Sequence, residues 1–195
     1  NISANSEVNV QFNFPLKSKL TFEEFIINSK TNLTDVSIND IFSRDFKSNL
    51  LSIDLTNDGL DIVGKVNSSS QVLNLIWEQN FKKKDNSTLI SLSGSINDKM
   101  INNFFSENLK FTGTVDVEAN FLGNSFDLRK GDLFIDFRNT KIESYVLDWA
   151  KPKFSSMFLK SNINFSNNKE VNFHNFKIEG PLIQVNGNFK FKNNK

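Results

Sequence analysis

From Leu109 to Phe137 hydrophobic and polar side chains alternate with a period of two. Leu109, Phe111, Gly113, Val115, Val117, Ala119 and Phe121 take every second position, and Lys110, Thr112, Thr114, Asp116, Glu118 and Asn120 fill the places between them. Successive side chains of a strand point to opposite faces, so the pattern predicts a long strand with one apolar and one solvated side. Gly123-Asn124 supplies turn chemistry, and a second strand is expected from Phe126 to Phe137, bent or bulged at Gly131-Asp132. The stretch 109–137 is therefore an extended central hairpin, and most of the chain repeats its design.

The same period opens the chain, where Val8, Val10, Phe12 and Phe14 alternate with polar residues until Pro15, as suits an edge or first strand. Thr21-Phe22-Glu23-Glu24 has capping-box spacing, with Phe22, Phe25 and Ile26 on one side, which predicts a short helix to about Ser29. Alternation resumes over Leu33 to Ile38, at Leu51, Ile53 and Leu55, and at Leu60, Ile62, Gly64 and Val66, with Asn57-Asp58-Gly59 as a hairpin turn. Gln71 to Asn80 is a further strand with Leu73, Leu75 and Trp77 on one face, and Ile90, Leu92, Gly94 and Ile96 form the next. Asp98 is placed to cap a second short helix from Lys99 to about Phe105. Beyond Phe137 the pattern loosens through Ile142, Tyr145, Val146 and Leu147, then returns at Met157, Leu159, Ile163 and Phe165. Phe173, Phe176 and Ile178 follow with an imperfect period, and Ile183, Val185, Gly187, Phe189 and Phe191 make the last strand. The expected fold is mostly β: an elongated antiparallel meander with two short helices, without the βαβ alternation of a parallel sheet.

Composition narrows the use of that surface. Only 38% of the 195 residues are hydrophobic, so a core must be thin or elongated, and the 21 Phe against one Tyr and two Trp place large rings where they need no polar partner. The formal net charge is +1, from 23 basic and 22 acidic side chains mixed along the chain, which gives no field to gather nucleic acid or an anionic surface. Cysteine is absent, excluding disulfides, thiolate nucleophiles and cysteine-ligated metal sites. The chain starts at Asn1 and has no signal-peptide pattern or long apolar run; residues 1–195 are expected to be a single fragment of a longer protein. Asn is very frequent, and the sequons at Asn1, Asn32, Asn67, Asn86 and Asn164 follow from that frequency.

Catalytic chemistry finds little to build on. His174 is the one histidine and sits in an exposed-looking stretch, yet a Ser-His-Asp mechanism would have to use it. Asp54, Asp61, Asp116, Glu118 and Asp136 lie on the polar faces of strands, where solvated charge is the default over acid–base pairing. Phosphate-loop, HExxH and EF-hand patterns are absent, and no metal or cofactor is expected. Lys82-Lys83-Lys84 reads as a solvated hairpin tip rather than a phosphate contact. Trp149-Ala150-Lys151-Pro152 reads as structural, a tryptophan anchor followed by a proline that redirects the chain, with a headgroup contact for Lys151 as the alternative.

One-sided strands without elements to cover them leave two outcomes: closure into a sandwich or barrel, or an open trough. Roughly a dozen strands at about 4.8 Å spacing would give a trough on the order of 55 Å long, more apolar surface than a monomer usually exposes.

Several short segments recur here in a characteristic order: Phe14-Pro15-Leu16-Lys17, Leu33-Thr34-Asp35-Val36, Asp58-Gly59-Leu60 with Gly64, Trp77-Glu78, Gly113-Thr114-Val115, Ile135-Asp136-Phe137 and Trp149-Ala150-Lys151-Pro152. Their succession from Val8 to about Phe165 resembles the AsmA-like superfamily of bacterial envelope proteins, specifically its YhdP branch. The chain departs from that pattern at Asp136-Phe137-Arg138, where Asp-Leu-Thr is expected, and in lacking a glycine soon after Pro152; Val171 to Phe191 matches only as generic strands. The resemblance implies an open U-shaped groove, a β-taco, forming part of a long repeating structure that is anchored in the inner membrane and crosses the periplasm. It implies that phospholipid acyl chains slide along the trough toward the outer membrane, with possible membrane-protein partners at the ends of the parent chain and no nucleic acid. The residues it sets facing the trough are Leu73, Leu75 and Trp77; Phe111, Val115, Val117 and Phe121; Leu133, Ile135 and Phe137; and Ile183, Val185 and Phe189. Each is equally readable as plain core, since periodicity gives a face and not its occupant.

Other readings stay open. The related long-groove protein TamB assists outer-membrane protein assembly, so the same architecture could act as a scaffold that chaperones unfolded β-strands by β-augmentation. A closed β-sandwich binding or adhesion module is a further alternative. A transmembrane barrel is less well matched, because Tyr and Trp are too few for aromatic girdles.

Overall fold

The computed structural model describes residues 2–21, 24–41, 44–68, 71–102, 108–125, 127–166, 170–181 and 183–192. Thirteen strands and one short helix follow in the order β1 (Ile2–Asn13), β2 (Ile26–Ile41), β3 (Arg44–Thr56), β4 (Gly59–Ser68), β5 (Gln71–Asn80), β6 (Thr88–Asn97), α1 (Asp98–Asn102), β7 (Leu109–Asn124), β8 (Asp127–Asp136), β9 (Thr140–Ser144), β10 (Trp149–Lys151), β11 (Phe158–Ser166), β12 (Glu170–Gly180) and β13 (Ile183–Lys192). They form one antiparallel sheet in which β1 to β8 pair in sequence, β8 pairs with β11, and β12 and β13 complete the path. β1 and β13 each have a single neighbour, so the sheet is not closed. Of the two outcomes for the one-sided strands, closure is not the one adopted.

The single branch lies at the central hairpin. One edge of β7 pairs with β6 from Thr114 to Gly123, while its other edge pairs first with β9, from Leu109 to Gly113, and then with β8, from Asp116 to Asn124. β9 and β10 form a small ribbon that takes over the edge of β7 beyond the reach of β8. On the opposite edge, where β6 has ended, α1 substitutes side chains for a strand. Asn102 accepts from the Phe111 N–H and donates to its carbonyl, both at 2.9 Å, and an Asp98 carboxylate oxygen accepts from the Gly113 N–H at 3.1 Å. Backbone groups that would otherwise be left unpaired near the core are thereby satisfied.

Four expectations are corrected. The capping box forms, with the Thr21 N–H donating to Glu24 Oε2 and the Glu24 N–H to the Thr21 carbonyl, but it closes only a single turn, and Ile26 already starts β2. The helix expected to Ser29 is therefore absent; Phe22 and Glu23 lie outside the described residues. Its place is taken by pairing of Ile27 with Phe12, and by Asn57, whose side chain accepts from the Ile27 N–H and donates to the Phe25 carbonyl. The second helix exists, but Asn97 caps it by accepting from the Met100 N–H, because the Asp98 carboxylate is engaged with β7; its extension to Phe105 falls outside the described residues. The central turn sits at Ser125, at φ 47°, with Phe126 outside the described residues, and its irregularity is an extra residue at Arg129 rather than at Gly131-Asp132. Gly131 lies in regular register opposite Phe121, and a Cβ there would meet the Phe121 ring at 2.5 Å.

The imperfect period of Phe173, Phe176 and Ile178 has a backbone cause. An extra residue in β12 at His174-Asn175, with Asn175 at φ 51°, shifts the alternation by one and returns Phe176 to the face of Phe173. Phe189 of β13 then stacks on Phe173 at 4.4 Å and meets Phe176 edge-on at 5.0 Å.

Candidate functional site

Directly paired residues of neighbouring strands share a face, so the register traces rows across the sheet. One row starts at Val8, Thr31, Ile53 and Ile62, passes through Trp77, Ile90 and Phe121, crosses Gly131, and ends at Ile163, Phe173 and Phe189. A second begins at Ser6, Leu33 and Leu51 and continues through Gly64, Leu75, Leu92 and Ala119 to Leu133 and Ser161. A third joins Val66, Leu73, Gly94, Val117, Ile135, Leu159, Ile178 and Val185. One face of the sheet thus carries a mainly apolar band along the whole path, interrupted by Ser6 and Thr31 near one end and by Ser161 near the other.

The sequence-predicted residues fall into distinct settings on this face. Leu73, Leu75 and Trp77 are half-buried on β5, and the two leucines pack against a small cluster of Val36, Leu51 and Val66. Phe111, Val115 and Phe137 belong to the main cluster with Ile101, Ile142, Met157 and Leu159, where Val115 is 2% exposed. Val117, Leu133, Ile135 and Ile183 pack at the margin of that cluster. Phe121 is half-buried, with its ring centroid 5.8 Å from that of Phe165. Val185 and Phe189, on the last strand, are exposed at 42% and 45%. The register brings Trp77 and Phe121 into one row with Phe189, and Leu73 into another with Val117, Ile135 and Val185. Phe111 stands apart, opposite Ile142 of the ribbon.

The prediction overlooked Val8, Val10 and Phe12 of β1, which are exposed on the same face as the predicted set, and Ile90, Leu92, Ile163 and Phe173, which continue its rows. All of them carried the two-residue period; what joined them to the face was the register, which periodicity within one strand does not give.

The opposite face is more polar and internally hydrogen-bonded, with Leu50, Val63, Val72 and Ile76 exposed among its polar residues. Ser91 donates to Asn120, Asn162 donates to Asp132 at 2.5 Å, and Asn175 donates to Asn162 at 2.9 Å. The predicted carboxylates lie here, with Asp54 opposite Asp61 and Asp116 opposite Asp136. Ser95 donates to Asp116, and Lys30 and Arg138 make ion pairs with Asp54 and Asp136. His174 is half-buried beside the β12 bulge, where its carbonyl accepts from Ser161. Among the described residues no group of three or more His, Cys, Asp or Glu could hold a metal ion, and no helix is long and apolar enough to cross a membrane.

Lys151 overturns its alternative reading as a headgroup contact. It is fully buried, and its Nζ donates to the Thr140 carbonyl at 2.8 Å and to the Pro152 carbonyl at 3.0 Å. Burial holds its pKa below the ordinary lysine value, opposed by the Asp136 carboxylate. The ammonium fixes the foot of the β9–β10 ribbon, beside the fully buried Thr140, whose hydroxyl donates to the Thr114 carbonyl.

No protein-family model matches the chain, and no curated protein sequence or solved structure is significantly similar to it.

Proposed function

We propose that this chain is a periplasmic segment of a longer, inner-membrane-anchored envelope protein, and that its open sheet curls into a U-shaped trough whose apolar face conducts phospholipid acyl chains between the inner and outer membranes. The observation that carries the reading is the mainly apolar face of a sheet with two free ends. Its rows leave at Val8 on one side and at Val185 and Phe189 on the other, still exposed. Ten inter-strand steps along this path, at about 4.8 Å each, make a lane on the order of 50 Å long.

Leu, Val, Ile and Phe hold acyl chains without directional bonds, each CH₂ removed from water contributing about 0.8 kcal/mol. A lipid can therefore advance along equivalent positions with small barriers while its headgroup stays in water at the open seam. Such transport asks for no catalytic residue, metal or cofactor.

Native mass spectrometry with lipid extraction on the chain purified from a bacterium tests this. Co-purifying phospholipid is expected, and it should be lost in Val185→Asp/Phe189→Asp with the β-type circular dichroism unchanged. A folded chain that carries no lipid and takes up no added phospholipid would sink the reading. The free edges of β1 and β13 favour a second reading, a TamB-like scaffold that adds a client strand to an edge. It predicts binding of an unfolded outer-membrane protein segment that proline substitutions in β13 abolish and Val185→Asp leaves intact.

A further inference from the structure

We propose that the tip of the β9–β10 ribbon is a membrane-interface anchor, in which Tyr145, Val146 and Leu147 enter the surface of a lipid bilayer. The three are exposed at 65%, 69% and 67%, the only three consecutive large hydrophobic side chains exposed among the described residues. Isolated exposed hydrophobics are ordinary on a protein surface; an uninterrupted run at a turn is not.

The tip is held, not loose. The Tyr145 N–H donates to the Asn108 carbonyl at 3.1 Å, the Leu147 N–H to Ser144 Oγ at 3.3 Å, and Asp148 takes φ 44° to close the turn. At the other end of the ribbon Lys151 is locked by its two carbonyl acceptors, and next to the tip Trp149, opposite Ser144, packs against the main cluster. A rigid support presents the apolar residues to solvent without an ordering cost at binding.

Size and charge select the occupant. A stable protein partner buries about 800 Å² per side, far more than three side chains on a convex turn present. A bilayer needs no complementary shape, and Tyr suits the boundary, with an apolar ring and a hydroxyl that stays hydrated. The charges alongside are balanced, Lys141 and Lys110 against Glu143 and Asp148: Glu143 pairs with Lys141 at 2.7 Å and faces Lys110 across the ladder, and Asp148 stands in the turn itself. The fitting surface is therefore zwitterionic, and binding should depend little on salt.

The test is flotation of the full chain with phosphatidylcholine–phosphatidylethanolamine vesicles. The chain should float at low and high salt, and Val146→Asp/Leu147→Asp should weaken partitioning roughly tenfold or more, with unchanged circular dichroism. Val185→Asp/Phe189→Asp should still float, so loss of lipid from the sheet face is distinguishable from loss of the anchor. The proposal is overturned if the unaltered chain stays with the protein pool, if the tip variant floats equally well, or if the tip substitutions change the oligomeric state instead of vesicle binding.

Discussion

The middle of the apolar face and its two ends are written in the same alternating pattern but lead different lives. Around the central hairpin, Phe111, Val115 and Phe137 pack with Ile101 of α1, Ile142 of the ribbon and Met157 and are nearly inaccessible. At the ends, Val8 and Phe12 on β1 and Val185, Phe189 and Phe191 on β13 project from the same face and remain exposed. The difference comes from what packs against the strand, not from the strand itself. The middle makes the domain stable, and the ends leave apolar surface for something else to cover.

Charge placed on the face should separate the regions most sharply. Val115→Asp buries an unpaired carboxylate and should cost about 4 kcal/mol or more, enough to unfold the chain, whereas Val185→Asp should cost about 1 kcal/mol or less. Urea denaturation followed by circular dichroism measures both, and equal losses would mean that the ends are core as well.

Next in size is the lock at the ribbon's foot. Lys151→Met keeps the aliphatic volume but removes the buried donor to the Thr140 carbonyl, while the Pro152 carbonyl keeps its bond from Ser155, an expected loss of about 1–3 kcal/mol. The pH dependence has a defined sign. Burial lowers the folded-state pKa of Lys151 below the ordinary lysine value, so between the two the unfolded chain holds more protons. Across that window the stability of the unaltered chain should rise with pH relative to Lys151→Met. Denaturation midpoints of the pair at successive alkaline pH values check this, and a relative fall would contradict it.

The smallest contrast concerns amide side chains. Asn102→Ala removes both bonds to Phe111 on the edge of β7 and should cost about 1–2 kcal/mol. Asn74→Ala, on the solvated face with a single 3.5 Å contact to Ser93, should be within about 0.5 kcal/mol of neutral.

These contrasts mark what could be seen in the sequence. The strand at Gln71–Asn80 and the turn at Asn57-Asp58-Gly59 were legible because alternation and turn chemistry are local. The helix expected after Thr21 failed because its spacing is satisfied by one turn, after which Ile27 gains more from pairing with Phe12. Gly131 looked like a bulge because a missing side chain has two uses; here it makes room for the Phe121 ring across the ladder. The burial of Lys151 and the strand-like service of Asn102 were invisible, since each depends on carbonyls or amides brought near only by tertiary pairing. For the candidate site, the sequence identified one face, but not that its part around the central hairpin would be buried and its ends left bare.

The most direct test of an acyl-chain lane is site-specific photo-crosslinking of the full chain with bound phospholipid. A photoreactive phenylalanine analogue is placed either at Phe189, on the apolar face, or at Phe134, which sits opposite Glu118 and Lys160 on the polar face. Phospholipid adducts at Phe189 and none at Phe134 are expected. Equal labelling at both positions, or no lipid adduct at Phe189, would contradict the lane.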